Sequence, residues 1–105
     1  MHSRVTLLEV DVLRHDLDAA VARFEAEVLP GLREQTGYEG VLVMVNPEGP
    51  GMIMTFWRDE QAMAAAGGFA TAALERFATI FRSPPGRAHY VVRVLDAPAG
   101  SGLLP

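Results

Sequence analysis

The chain contains neither cysteine nor lysine. Without cysteine there is no disulfide, no thiolate nucleophile and no cysteine-ligated iron–sulfur cluster, so any redox chemistry draws on a substrate, a bound cofactor or dioxygen. Without lysine there is no amine for a Schiff base or a covalent pyridoxal phosphate site. Serine occurs only at Ser3, Ser83 and Ser101, in terminal or turn segments, and no Gly-x-Ser-x-Gly, phosphate loop or dinucleotide fingerprint is present, which argues against serine hydrolysis and nucleotide chemistry. No apolar run approaches the roughly 20 residues of a membrane span. Met1-His2-Ser3-Arg4 leads directly into strand-like residues rather than a signal-peptide core, so a cytoplasmic protein with no membrane association is expected. His15 and His89 lack a convergent carboxylate pattern, so zinc is rejected and no metal site is expected.

What is present fits one soluble domain. In 105 residues, half are hydrophobic and 21% charged, which places a single core over residues 1–105. The formal charge of −4 and arginines scattered one at a time speak against a nucleic-acid or anionic-membrane surface. A small apolar or aromatic ligand suits this composition better, and no cofactor is expected. A domain of this size leaves much of its surface exposed, so a dimer contact would add useful stability.

Periodicity divides the chain into six main elements. Val5–Leu13 reads as a strand with Thr6, Leu8, Val10 and Val12 on one face and Val5, Leu7, Glu9 and Asp11 on the other. Asp16 is placed to cap a helix with a stripe of Ala20, Val21, Phe24, Val28 and Leu32 ending at Gly37, in which Pro30 forces a kink or a restart. Glu39–Val45 and Met52–Trp57 flank the turn-forming Asn46–Gly51 as a hairpin. Asp59 and Glu60 open a second helix, broken near Gly67-Gly68 and resumed by Phe69, Ala73, Phe77 and Phe81, until Ser83-Pro84-Pro85-Gly86 ends it. Arg87–Leu95 alternates as a last strand, followed by a tail over 96–105 in which Leu103 and Leu104 are expected to dock, on the partner subunit if not on their own.

The order βαββαβ is the α+β, ferredoxin-like arrangement: a four-stranded antiparallel sheet with both helices on one face. The opposite face, expected to carry Val5, Leu7, Glu9, Val91 and Arg93, is left bare and reads as a homodimer surface. First and last strands should be neighbours, which would let Glu9 pair with Arg93. His15, ending the first strand, and His89, opening the last, should then fall at one end of the sheet.

The run "LPGLREQTGYEG" (Leu29–Gly40), the strand "VLVMVN" and "MTFWRDEQAM", with strand, Trp57 and acidic helix start, resemble the antibiotic biosynthesis monooxygenase-type family from Val5 to Leu95. The resemblance implies a dimeric α/β barrel made by two sheets packed face to face. It also implies a cofactor-independent monooxygenase that oxidises a small polycyclic phenol with dioxygen; a non-catalytic ligand-binding or structural dimer of the same fold is the alternative. The haem-degrading branch uses an Asn on the first strand, a second Trp in the helix after the strand-end Trp, and a His further along it. Here the only Asn is Asn46, and "DEQAMAAAGGFATAALERF" has neither Trp nor His, so haem degradation is disfavoured.

Cofactor-free oxygenation asks for a polar donor or base and a pocket that excludes water. Trp57 can stack on an aromatic substrate and donate from its indole, or else plug the core beside Tyr38. Tyr90, sharing a face with Val92 and Val94, is assigned to the helix-side pocket, and His89 beside it, a candidate base, to the dimer face. Trp57, Tyr90 and His89 are thus the catalytic candidates, with Phe56, Met54, Met63, Phe69 and Tyr38 as substrate-binding candidates. A cavity above about 300 Å³ with convergent polar atoms is the mark of a binding site, and one filled by Met and Phe the mark of a structural domain.

Overall fold

A computed structural model describes residues 1–96; the expected docking of Leu103 and Leu104 lies outside the described residues. Its elements are β1 (His2–Glu9), α1 (Leu17–Glu27), α2 (Leu29–Arg33), β2 (Tyr38–Val45), β3 (Pro50–Trp57), α3 (Glu60–Ala65), α4 (Gly67–Arg76) and β4 (Gly86–Val91), with a 3₁₀ turn at Ala78–Ile80. The four strands form one antiparallel sheet in the order β2-β3-β1-β4. This is the expected α+β, ferredoxin-like arrangement, with β1 and β4 adjacent.

Local chemistry explains most boundaries. The Asp16 carboxylate accepts from the Ala19 N–H and starts α1. Pro30, with no N–H to give, falls in the first turn of α2, so the helix restarts there rather than bending through it. Gly37 follows with φ 79°, a left-handed conformation that costs glycine nothing and other residues appreciably. Asp59 accepts from the Ala62 N–H at 2.8 Å and begins α3. The second helix breaks at Ala66, so Gly67 opens α4 instead of ending α3.

Three boundaries differ from those expected. β1 begins at His2 and ends at Glu9, because β3 offers partners as far as Trp57, opposite His2, and β4 as far as Val91. Residues beyond Glu9 turn away after a single bridge from Val10 to Phe81. α4 ends at Arg76, and Phe81 belongs to that bridge rather than to the helix. β4 is shorter than expected, Gly86–Val91, and is exposed along its length as an edge strand.

The register corrects the assignment of faces. Directly opposed residues share a face, and Leu7, Met52 and Met44 are opposed, as are Val5, Met54 and Leu42. These lie away from the helices. On β4, Tyr90 stands opposite Ser3 and Ala88 opposite Val5, on that same bare face, whereas His89 opposes Arg4 and Val91 opposes His2, on the helix side. Tyr90 and His89 have therefore exchanged the faces expected of them, and Val91 leaves the bare face. The reason is the strict period of two: a one-residue error in pairing inverts every side chain of a strand. Glu9 has no partner on β4, whose pairing stops at Leu7–Gly86; it binds Arg82 instead at 3.2 Å, not Arg93. His15 lies beyond the end of β1 with Nε2 3.1 Å from the Thr79 carbonyl, and His89 sits near the start of β1, so the two are not at one end of the sheet.

The cap at Asp59 has a measurable signature. Hydrogen bonding to the Ala62 N–H, then to Arg58, holds its carboxyl below the ordinary 3.8. A depressed folded value means the cap's contribution is complete above 3.8 and is lost as pH falls through the lower folded value. Asp59→Ala should lower the melting temperature at neutral pH, by a difference from the parent protein that shrinks under acid. Thermal unfolding of both proteins at a series of pH values checks this.

Candidate functional site

Between sheet and helices lies a cavity of about 110 Å³. From the sheet it receives Thr6, Leu8, Ile53 and Trp57; from the helices, Phe24, Val28, Phe69 and Phe77. The approach of α2 to α4 depends on Gly31, since a Cβ there would stand 2.7 Å from the Phe69 ring. The lining is apolar except at Arg4, Thr6, Thr55 and the Trp57 indole, three of which, Arg4, Thr55 and Trp57, lie around the open ends of β1 and β3.

Trp57 is 1% exposed and packs among Leu32, Ala62, Met63 and Ala66. Tyr38 meets it edge-on, ring centroids 6.0 Å apart at 75°, a geometry favoured by the ring quadrupoles. Burial raises the Tyr38 phenol above its ordinary value, opposed by the Arg33 charge. The indole N–H is already committed, donating to the Thr55 hydroxyl at 2.9 Å. Trp57 is thus a plug of the core and, by one edge, a wall of the cavity. Its donor reaches a ligand only through Thr55, whose own hydroxyl proton remains available.

Of the residues singled out in the sequence, the cavity brings together Trp57 and Phe69. Tyr38 and Met63 pack against Trp57 behind the wall rather than in it. Met54 and Phe56 lie on the opposite face of the sheet with Tyr90. Tyr90 and Trp57 therefore do not share a pocket. His89 faces the helix side but stands exposed on the edge strand outside the lining, with Nε2 accepting from Arg4 Nε at 3.5 Å.

Arg4 was hidden from pattern reading because a cation on a strand is expected to face water. It is 5% exposed. Its Nη2 donates to the Met63 carbonyl at 2.8 Å, and Nη1 has no partner among the described residues. Burial, then the charge of Arg87, lowers its pKa. Thr6 and Thr55 escaped for a simpler reason, since a threonine in a strand is ordinary. Among the described residues no group of three or more His, Asp or Glu is placed to hold a metal ion, and no helix is long and apolar enough to cross a membrane.

The Trp57–Thr55 bond can be weighed by removing its acceptor. Thr55→Val keeps the shape of the side chain and leaves a buried indole N–H unpaired, which should cost about 1–3 kcal/mol. Denaturant unfolding measures the loss, and the indole N–H resonance should shift with it.

No family model matches this chain, and no curated protein matches it. Solved structures do. A protein of unknown function from Nitrosomonas europaea is 23% identical, with a TM-score of 0.72 over 94% of this chain and 95% of that one. A monooxygenase from the ActVA-Orf6 gene of Streptomyces coelicolor, solved with nanaomycin D, is 18% identical, with a TM-score of 0.71 over 93% and 92%. SnoaB from Streptomyces nogalater, a cofactor-independent oxygenase solved in a mutant form, is 15% identical, with a TM-score of 0.69 over 90% and 94%. At these identities the likeness is one of fold, and the fold is that of the antibiotic biosynthesis monooxygenases.

Proposed function

We propose that the chain is a cofactor-independent monooxygenase of a small phenolic or related aromatic compound. The observation that carries the reading is the cavity: an apolar chamber between sheet and helices, with three of its four polar residues at the Trp57 end, in a fold shared with a protein named as a monooxygenase and one named as a cofactor-independent oxygenase. Apolar walls exclude water from reactive intermediates, and the Thr55 hydroxyl, itself bonded by the indole, is the donor for a substrate oxygen. The CH₂ group of the keto form loses one proton to bulk water, which gives the phenolate or enolate that enters the cavity, and this anion passes one electron to dioxygen. The radical pair then couples to a C–O bond, a proton from water makes the hydroperoxide, and loss of water leaves a ketone or quinone. One oxygen atom enters the product and the other leaves as water; the four electrons come from the two C–H bonds.

His89 has no place in this scheme as a base, since it stands on the exposed edge strand outside the lining. Tyr90 belongs to the bare face. Two observations favour the second reading, a ligand-binding or structural domain without chemistry: the cavity is smaller than the roughly 300–1,000 Å³ of a drug-sized site, and the indole donor is already taken. Aerobic against anaerobic incubation of the metal-free protein with a dihydroxynaphthalene or an anthrone separates the two. The oxygenase predicts protein-dependent oxygen uptake and quinone formation. It also predicts a loss of about tenfold or more for Trp57→Phe and Thr55→Val, with Tyr90→Phe unchanged. Uptake no faster than without protein leaves the second reading.

The bare sheet face supports a homodimer. Leu7 is 55% exposed, Met44 48% and Tyr90 54%, with Leu42 beside them; all four lie on the face the helices leave uncovered. An apolar patch of this kind is stabilised by burial against a second copy. Light scattering should return twice the 11.4 kDa of one chain, and Met44→Glu should shift it to the monomer by placing charge in the middle of the contact.

A further inference from the structure

Arg4 is the one charged residue lining the cavity among the described residues. A guanidinium carries five N–H donors and keeps its charge in proteins. Here Nη2 is satisfied by the Met63 carbonyl at 2.8 Å, Nε reaches His89 at a long 3.5 Å, and Nη1 is buried without a partner among the described residues. The ion pairs of the described residues join Arg23 to Glu27, Arg58 to Asp59 and Arg82 to Glu9, so among these residues no carboxylate pairs with Arg4. The charge that acts on it is that of another cation, Arg87. Beside Nη2 the chain carries Gly67, where a Cβ would already stand 3.4 Å away. Gly67 also opens α4, a helix start without a side-chain cap, so no acidic side chain answers the positive end there.

A buried cation without a counter-charge is costly, and packing alone would be served better by an apolar residue of similar volume. An anionic oxygen entering the cavity would supply the missing acceptor, and charge-assisted bonds to a guanidinium are about twice as strong as neutral ones. We propose that the cavity selects an anion: a small, flat, apolar molecule carrying one ionised oxygen group, a carboxylate or phenolate, which pairs with Arg4 while its ring lies against Trp57 and Phe69. This rests on the reading of the cavity as a ligand site and deepens it. A substrate bound as its phenolate also needs no base in the lining to prepare it for dioxygen, whereas one held by a carboxylate would still have to ionise at its reacting carbon.

The test uses binding without turnover. Under nitrogen, the intact protein is titrated at pH 7 with 4-ethylbenzoate and, separately, with the neutral 4-ethylbenzamide, by calorimetry and by following the single indole N–H resonance of Trp57. The acid should bind at least about tenfold more tightly than the amide and move the Trp57 resonance. Arg4→Met should abolish that preference while leaving the amide affinity within about twofold, and Arg4→Lys should keep part of it. Equal affinities in the parent protein, a preference that survives Arg4→Met, or acid binding that leaves the Trp57 resonance unmoved would overturn the proposal. Should Arg4→Met fail to fold by circular dichroism, the acid–amide comparison in the parent protein and in Arg4→Lys decides. A preference for the acid with no oxygen uptake removes the oxygenase and leaves this inference standing; oxygen uptake with no preference does the reverse.

Discussion

The junction at Trp57 holds sheet and helices together. As the last residue of β3 it pairs with His2 at the start of β1 and with Tyr38 at the start of β2, so three strands meet in one ring system. The same ring fills the space among Leu32 of α2 and Ala62, Met63 and Ala66 around α3. A large aromatic side chain buries more apolar surface than any other single residue here can. Its polar atom is answered locally by Thr55, two residues back on the same face of the same strand. Because that bond is internal to β3, Trp57 can be wholly buried without drawing a donor or acceptor from the helix layer.

The cavity is the complement of this junction. Trp57, with Leu32 and Ala66, closes one end of the space between the layers, while a second cluster of Val28, Ala73, Phe77 and Ile80 forms further along the helices. Phe69 packs against both clusters and is held at its depth by the missing side chain of Gly31. The apolar volume between them is therefore bordered by a few large rings carried on short helices. Arg4 stands where the sheet meets the α3–α4 break, the point in the helix layer at which a carbonyl, that of Met63, receives its guanidinium.

The second face of the sheet follows different physics. Leu7, Met44 and Tyr90 are large and exposed there, on the face opposite the helix layer. β4 adds an edge strand open on both sides, so its side chains take their surroundings from whatever packs on the sheet rather than from the core of their own chain. For Tyr90 and His89 this makes strand register the deciding variable.

Sequence alone determined the element order, the caps at Asp16 and Asp59, the restart at Pro30 and the turn at Gly37, because each depends on a few neighbouring residues and on backbone chemistry that acts locally. It also determined that Trp57 ends a strand before an acid-capped helix, and the fold that this pattern resembles. Which face Tyr90 and His89 occupy was decided only by tertiary structure, since a strand's alternation leaves two solutions and the pairing with β1 selects one. The burial of Arg4 was decided in the same way. A lone arginine near a chain end carries no periodic signal, and only the meeting of β1 with the α3–α4 break turns a residue that should face water into an unpaired cation against an apolar cavity.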